Sequence, residues 1–191
     1  MLKDFNLLIS SARGNERDAG SELRYLLREL GDSTVITGQT PVSGLIIAKT
    51  VLDPVQAIDK LRPVLSKNPW QFRYVLKIKP IIHVVSADIG EICRAVGSLA
   101  NEVKAGETFR VSVQRRHSVL DSKQVIEQAA KQVPRGVDLQ NPSRIVLIEI
   151  IGDVAGVSII SKSDILAVES EKRRNPILGL KGARSVPIPA A

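Results

Sequence analysis

The stretch 108–117, TFRVSVQRRH, decides how the second half of this 191-residue chain folds. Its apolar residues Phe109, Val111 and Val113 alternate with polar residues. A period of two is the pattern of a strand with one covered face, so a strand is predicted over 108–114. If the alternation continues to the end of the strand, the opposite side carries Arg110, Ser112, Gln114 and Arg116.

Helices are predicted on both sides of this strand. The spacing Asp88-x-x-Glu91 is a capping pattern, and it opens a helix that Gly106 stops. The spacing Asp121-x-x-Gln124 opens a second helix in the same way. Both helices carry apolar residues at helical spacing, so each is expected to pack one face on a sheet.

A strongly apolar segment follows the second of these helices. Residues 145–151 are almost continuously apolar, as in a strand covered on both faces, and Gly152-Asp153 separates them from an apolar run over 154–160. A strand, a helix and another strand predict a parallel crossover with the last run as its neighbour. We therefore predict a second α/β domain with a partly parallel sheet over residues 83–168.

The first 82 residues are predicted to form a module of their own. Asn15 and Asp53 are each expected to cap a helix, and Pro63 is expected to kink or end the second helix early. The element order is β-α-β-β-α-β, which is typical of a ferredoxin-like split βαβ unit, so the whole chain is assigned to the α/β (α+β) class. Strands are predicted at about residues 5–10, 34–37, 45–48 and 72–79.

Residues 169–191 are interpreted as a basic C-terminal tail. From Lys172 onward the tail contains lysine and arginine but no Asp or Glu. Its prolines Pro176, Pro187 and Pro189 argue against regular structure at its end. The tail adds to a formal net charge of +7 for the chain. Such a balance favours a polyanionic partner, because cations that neutralise phosphates release counterions; a basic but indifferent surface is the alternative.

Known catalytic motifs are missing from the sequence. It contains no G-x-x-x-x-G-K-[ST] loop, G-x-G-x-x-G fingerprint, G-x-S-x-G elbow or H-E-x-x-H helix. Cys93 is the single cysteine and is interpreted as a small, buried or half-buried hydrophobe, and His83 as a core or domain-junction residue. We predict no catalytic residue, no metal site and no cofactor.

The sequence also bears on location. It has no apolar run of about 18 residues and no segment resembling a signal peptide, and one cysteine does not support a disulfide framework. We therefore expect a cytoplasmic protein that makes no use of a membrane.

Basic residues gather at the end of the strand over 108–114. Arg115 and His117 take its other side or enter the next loop, and Lys123 starts the following helix. The planar fork of arginine suits phosphate, and the N-terminal amides of a helix favour anions. The segment indicates an RNA-binding surface, and a solvated polar face is the alternative.

Three runs in fixed order resemble the core of a THUMP domain: TFRVSVQRRH, DSKQVIEQAA and VDLQNPSRIVLIEIIGD. The resemblance extends over about residues 1–168 in architecture and is specific in motif over 107–153. It implies binding of tRNA around the acceptor stem and 3′ end. Carried over by position, the implied RNA-binding residues are Arg110, Arg115, Arg116, His117, Lys123, Arg135 and Arg144. The family pattern does not account for the tail, for which we add the hypothesis that Lys172, Arg173 and Arg174 contact phosphate or order on binding; a solvated end is the alternative.

The resemblance also implies a role. THUMP domains are commonly fused to RNA-modifying enzymes, whose signatures this sequence lacks, so the chain is most similar to the stand-alone THUMP accessory proteins of tRNA N4-acetylcytidine formation. It is expected to be a non-catalytic adaptor that presents tRNA to a separate modifying enzyme, an acetyltransferase, with no role in DNA binding. A protein–protein scaffold with incidental charge and a cryptic RNA-modifying enzyme are the alternatives.

Overall fold

The computed structural model describes residues 3–174, which form two five-stranded sheets and five α-helices. The elements in chain order are β1 (Leu7–Ser11), α1 (Glu16–Glu29), β2 (Ile36–Gln39), β3 (Leu45–Lys49), α2 (Pro54–Lys67), β4 (Val75–Pro80), β5 (His83–Ser86), α3 (Ile89–Leu99), β6 (Thr108–Arg116), α4 (Ser122–Ala130), β7 (Gly136–Val137), β8 (Arg144–Ile151), β9 (Val154–Ile160), β10 (Leu166–Ala167) and α5 (Val168–Arg174). None of these helices is long and apolar enough to cross a membrane.

The first sheet has the strand order β10-β4-β1-β3-β2, and all its neighbours are antiparallel. The helices α1 and α2 cover one face, where Leu23 and Leu61 are fully buried with Ile9 and Ile46 of the sheet. The predicted succession β-α-β-β-α-β is present over β1 to β4. A ferredoxin-like module remains our interpretation of that order.

Pro63 is expected from the sequence to kink α2 or to end it early, and the early end is wrong, because α2 continues to Lys67. Pro63 is exposed, so its ring displaces nothing in the core. The buried side chains of Leu61 and Leu65 lie on either side of it. Burying the two leucines contributes about 3–6 kcal/mol, which offsets a proline cost of about 3 kcal/mol. The expected cap is present, since Asp53 accepts hydrogen bonds from the N–H groups of Val55 and Gln56.

The second sheet has the order β5-β9-β8-β6-β7. The strand β6 is parallel to β8, with Arg110 opposite Ile145, while β8 and β9 form an antiparallel pair joined at Gly152-Asp153. The predicted parallel crossover through α4 is therefore confirmed. The helices α3 and α4 cover one face of this sheet, where Val96 and Val125 are buried.

The remaining faces of the two sheets pack against each other. One buried cluster contains Leu8 and Ile47 of the first sheet together with Leu147 and Ile151 of the second. Helices cover the outer face of each sheet, so the layers are helix, sheet, sheet and helix. The two modules therefore share an apolar interface, and polar residues at its margins lie between them.

The chain returns to the first module after β9. Leu166 of β10 lies opposite Ile78 of β4, and Val168 at the start of α5 is buried in the core of that module. The first part of the predicted tail, residues 169–174, belongs to α5, whereas residues 175–191 and their three prolines lie outside the described residues. The predicted domain limits 1–82, 83–168 and 169–191 stay predictions.

Candidate nucleic-acid interface

The strand β6 positions most of the predicted site residues. As the alternation predicted, Phe109 is buried and Val111 and Val113 are partly buried beneath α3 and α4. The alternate residues, starting with Arg110, take the face that is turned toward the first module. Since β7 pairs only with Thr108 and Phe109, the rest of that edge of β6 has no strand beside it within residues 3–174.

Four predicted residues, Arg115, Arg116, His117 and Lys123, lie where β6 ends and α4 begins, and we call them the strand-end group. Arg115, His117 and Lys123 are exposed. The guanidinium of Arg115 donates a 2.8 Å hydrogen bond to the carbonyl oxygen of Ser118, and His117 turns the chain with a φ of 53°. A short loop leads from there to Lys123 in the first turn of α4. The group therefore presents the charges of Arg115 and Lys123, together with the imidazole of His117, to solvent at one edge of the second sheet.

Arg116 is held differently from the rest of the group. Its guanidinium donates a 2.8 Å hydrogen bond to Glu149 of β8, whose side chain is only 1% exposed. The second carboxylate oxygen of Glu149 accepts a hydrogen bond from Lys79 of β4. One buried carboxylate thus joins a cation of each module, which fixes the side chain of Arg116 at the interface between the sheets.

Arg135 and Arg144 lie at the opposite end of β6. In the register of the sheet Arg144 lies opposite Phe109, about 20 Å along the strand from the strand-end group. Arg144 donates to both carboxylate oxygens of Glu107 at 3.2 Å. The N–H of Lys104 and then Arg144 hold the pKa of Glu107 below its ordinary value. The structure therefore does not bring these two arginines to the strand-end group.

A second basic region is a cleft of about 1010 Å³ between the two modules, which we call the inter-module cleft. It lies against α2, β4 and α5 of the first module and against Arg110 and Ile145 of the second. Two carboxylates, Asp59 and Glu171, also line it. Its cationic lining residues are Arg62, Lys77, Arg110, Lys162, Lys172 and Arg174.

The structure places three predicted residues in the inter-module cleft, namely Arg110, Lys172 and Arg174. Arg173 is exposed on α5 and does not line it. Three further cations, Arg62, Lys77 and Lys162, were not found from the sequence. The alternation of Lys77 and Lys79 in β4 was the one local signal, since it places both on the face opposite the buried Ile78.

The cations of the cleft differ in their partners. Arg62 binds Glu171 at 3.1 Å and Asp59 at 3.4 Å, so it occupies both carboxylates of the cleft. Lys172 donates to the carbonyl oxygen of Phe72 at 2.8 Å and to Glu169. Lys77, Arg110, Lys162 and Arg174 form no ion pair with any residue that the structure describes.

Arg110 is unusual among these cations. It is half-buried, and its Nε atom is buried without a hydrogen-bond partner among the described residues. A buried donor that is left unpaired costs about 1–3 kcal/mol. Its position favours an anionic acceptor inside the inter-module cleft.

Cys93 has the properties of a structural thiol. Burial raises its pKa, the charge of Asp88 raises it further, and Lys131 opposes both in part. The thiol is therefore protonated at neutral pH and is a weak nucleophile. His83 is half-buried at the first position of β5, directly after the connection between the modules.

Comparison with known families identifies part of the chain. Residues 86–160, from the end of β5 to the end of β9, match the model of the THUMP domain. The chain contains a THUMP domain. The matched region includes the whole strand-end group and Arg110. A search of curated protein sequences found no match.

Solved structures resemble this THUMP-containing chain beyond the THUMP domain itself. PH1313 from Pyrococcus horikoshii is 22% identical with a TM-score of 0.58, over 83% of this chain and 55% of that protein. TrmN from Thermus thermophilus is 16% identical with a TM-score of 0.54, over 92% and 50%. A 4-thiouridine synthetase, solved as an RNA complex with bound ATP, is 15% identical with a TM-score of 0.55, over 83% and 42%. The chain thus spans about half the length of these proteins. At these identities the likeness shows a shared fold, which supports the predicted α/β class.

Proposed function

We propose that this protein is a tRNA-binding adaptor, which presents the acceptor stem and 3′ end of tRNA to a separate modifying enzyme. The observation that carries the proposal is the THUMP domain at residues 86–160, which implies RNA binding linked to tRNA modification. The 4-thiouridine synthetase that shares the fold is described as an RNA complex, which agrees with this proposal.

The strand-end group supplies the chemistry that the proposal needs. Arg115, His117 and Lys123 are exposed around one strand end within the THUMP domain. Arginine and lysine contacts to phosphate position a nucleic acid without reading its bases. Aromatic residues make up only 3% of the chain, so recognition through phosphates, sugar hydroxyls and shape is favoured over stacking of many bases.

The non-catalytic role is part of the same proposal. It rests on the sequence, which contains no phosphate-binding glycine loop, no nucleophile elbow and no H-E-x-x-H helix. The protonated thiol of Cys93 agrees with it. A purified protein that modifies tRNA with a simple donor and no partner would overturn this part of the proposal while leaving tRNA binding intact.

The finer proposal is that the partner is a tRNA cytidine acetyltransferase. It rests on the resemblance to stand-alone THUMP accessory proteins, since none of the three structures named above is described as an acetyltransferase. Cytidine acetylation of tRNA by a candidate acetyltransferase, measured with and without this protein, tests it. Acetylation that is equally fast without the protein would rule out this partner.

Titration of the protein with tRNA over a salt series tests the binding itself. Each phosphate contact is expected to steepen the plot of log K against log salt by about 0.7–0.9. Binding that is undetectable or independent of salt would contradict the adaptor proposal. A protein partner that stays bound after nuclease treatment, without affinity for RNA, would instead indicate a scaffold.

A further inference from the structure

The inter-module cleft is a separate feature from the strand-end group. Arg110 and Arg116 lie six residues apart on the same strand, which places them about 20 Å from each other. The cleft opens at the Arg110 end and the strand-end group lies at the other. A ligand bound in the cleft therefore occupies a different place from a ligand bound at the strand-end group.

The charge of the cleft calls for an anion. Six cationic side chains line it against two carboxylates, and Arg62 already binds both carboxylates. Lys77, Arg110, Lys162 and Arg174 are left without an ion pair among the described residues. The half-buried guanidinium of Arg110 has a buried Nε without a hydrogen-bond acceptor within residues 3–174. A phosphate fits this arrangement, because arginine donates to its oxygens in a fixed fork.

The rest of the lining indicates what the phosphate is attached to. Pro63, Leu65, Ile145, Ile165 and Ala167 give the cleft an apolar part beside its cations. A volume of about 1010 Å³ lies at the upper end of the range for small-molecule sites and does not suit a duplex. A nucleotide combines a phosphate with the apolar face of a base, so it matches both parts of the lining.

We propose that the inter-module cleft binds the phosphate of one nucleotide, with Arg110 as its central contact and Arg174, Lys77 and Lys162 around it. The nucleotide is either free or the end of an RNA strand, and the phosphate chemistry is the same. Because both modules line the cleft, the bound nucleotide also bridges them. The free-nucleotide form needs no tRNA binding, whereas the RNA form rests on the proposed function.

Calorimetric titration of the full chain with three probes distinguishes the two sources. The probes are inorganic pyrophosphate, adenosine monophosphate and a single-stranded RNA tetranucleotide. Binding of the mononucleotide supports the proposal with a free nucleotide as source, whereas binding of pyrophosphate alone contradicts a nucleotide site. Binding of the tetranucleotide alone supports it with an RNA end as source, and the absence of binding by all three overturns it.

Substitutions must then place the bound probe in the cleft. Arg174→Ala is matched by Arg28→Ala, which removes the same charge from an exposed position on α1, outside the cleft. Arg174→Ala and Arg110→Gln are each expected to weaken the affinity for the bound probe about tenfold, the loss of one charge-assisted hydrogen bond, while Arg28→Ala leaves that affinity within about twofold. Equal effects of Arg174→Ala and Arg28→Ala would overturn the proposal.

Arg174→Ala alters an exposed side chain, so it keeps the test valid if Arg110→Gln fails to fold. The result is separable from the proposed function. Loss of probe binding in Arg174→Ala with tRNA binding retained supports the cleft site by itself. Full tRNA binding with no probe bound by the cleft overturns the cleft site and leaves the adaptor proposal standing.

Discussion

The guanidinium of Arg116 donates a 2.8 Å hydrogen bond to the buried carboxylate of Glu149 on the neighbouring strand. Lys79 of the first module binds the other oxygen of the same carboxylate. Taking a carboxylate out of water is unfavourable unless its partners are well placed, and here they come from both modules. Glu149 therefore holds Arg116 in place and ties the THUMP domain to the module before it.

The substitution Glu149→Gln distinguishes two effects of this carboxylate on tRNA binding. One is that it positions Arg116, and the other is that its negative charge repels RNA. It removes a negative charge beside a proposed RNA-binding residue, so charge alone predicts tighter tRNA binding. Positioning predicts the opposite, because Arg116 loses its anchor. We expect weaker tRNA binding, measured by titration, and a loss of about 3 kcal/mol in the free energy of unfolding, measured in urea.

Glu107→Gln is the matched control for this change. It breaks the ion pair with Arg144, in which both side chains are about a quarter exposed, at the far end of β6. Its effect on stability should be smaller, and its effect on tRNA affinity slight. Tighter tRNA binding by Glu149→Gln would show that the carboxylate acts only through its charge.

Arg115→Ala tests the exposed part of the strand-end group. Within residues 3–174 the side chain binds one carbonyl oxygen and no carboxylate, so it is available for phosphate. We expect tRNA affinity to fall by about tenfold and the salt slope to become shallower by about 0.7–0.9. Arg28→Ala, on the exposed face of α1, is the control and should leave both unchanged. Equal losses in the two variants would remove the site assignment but not tRNA binding.

Arg144→Ala tests whether the residues at the far end of β6 contribute to binding. The resemblance to THUMP domains implied this arginine as a contact, but in the structure it binds Glu107. We expect a smaller loss of tRNA affinity than for Arg115→Ala in the same titration. A loss as large as that of Arg115→Ala would show that RNA reaches both ends of the strand.

Asp32 gives the stability a defined pH dependence. Burial by itself would raise its pKa, but hydrogen bonds from Thr50, Thr34 and the N–H of Val51 outweigh burial and lower the pKa below its ordinary 3.8. A lowered folded-state pKa means that this stabilisation is complete above the unfolded-state pKa. It is lost as the pH falls through the folded-state pKa.

Asp32→Asn should therefore cost about 2–3 kcal/mol of unfolding free energy at neutral pH, since it weakens hydrogen bonds to a buried charge. The difference from the wild type should shrink in acid. Urea unfolding of the two proteins, once at neutral pH and once below the ordinary aspartate pKa, measures this loss and its decrease in acid. Asp153→Asn, at an exposed position beside the β8–β9 turn, should change neither. A constant difference at all pH values would show that Asp32 does not act through its charge.

Much of the fold follows from local patterns. The alternation through Phe109, Val111 and Val113 fixes which face of β6 is covered, and the caps at Asp88 and Asp121 are observed as hydrogen bonds. These signals depend on residues a few positions apart, so a sequence displays them. Asn15 stands at the predicted start of α1, but its side chain makes no capping bond.

The features of the fold and of the cleft that the sequence did not predict depend on contacts between residues that are distant in the chain. Leu166 lies in β10, which pairs with the first sheet although it follows all the strands of the second sheet in the chain. Arg62 and Lys77 come from two elements of the first module, and Arg110 of β6 joins them only because the two sheets pack face to face. No local pattern in the sequence indicates that these three residues lie close together. The strand-end group was accessible from sequence because its members lie within a few residues of one strand end.

The most direct test of acceptor-end binding by this protein compares two forms of one tRNA at a fixed salt concentration. One form is intact, and the other lacks its 3′ single-stranded end. If the THUMP domain presents the acceptor stem and 3′ end, trimming should weaken binding by at least about tenfold, or 1.4 kcal/mol. Equal affinity for the two forms, or no affinity for either, would contradict binding of the acceptor stem and 3′ end.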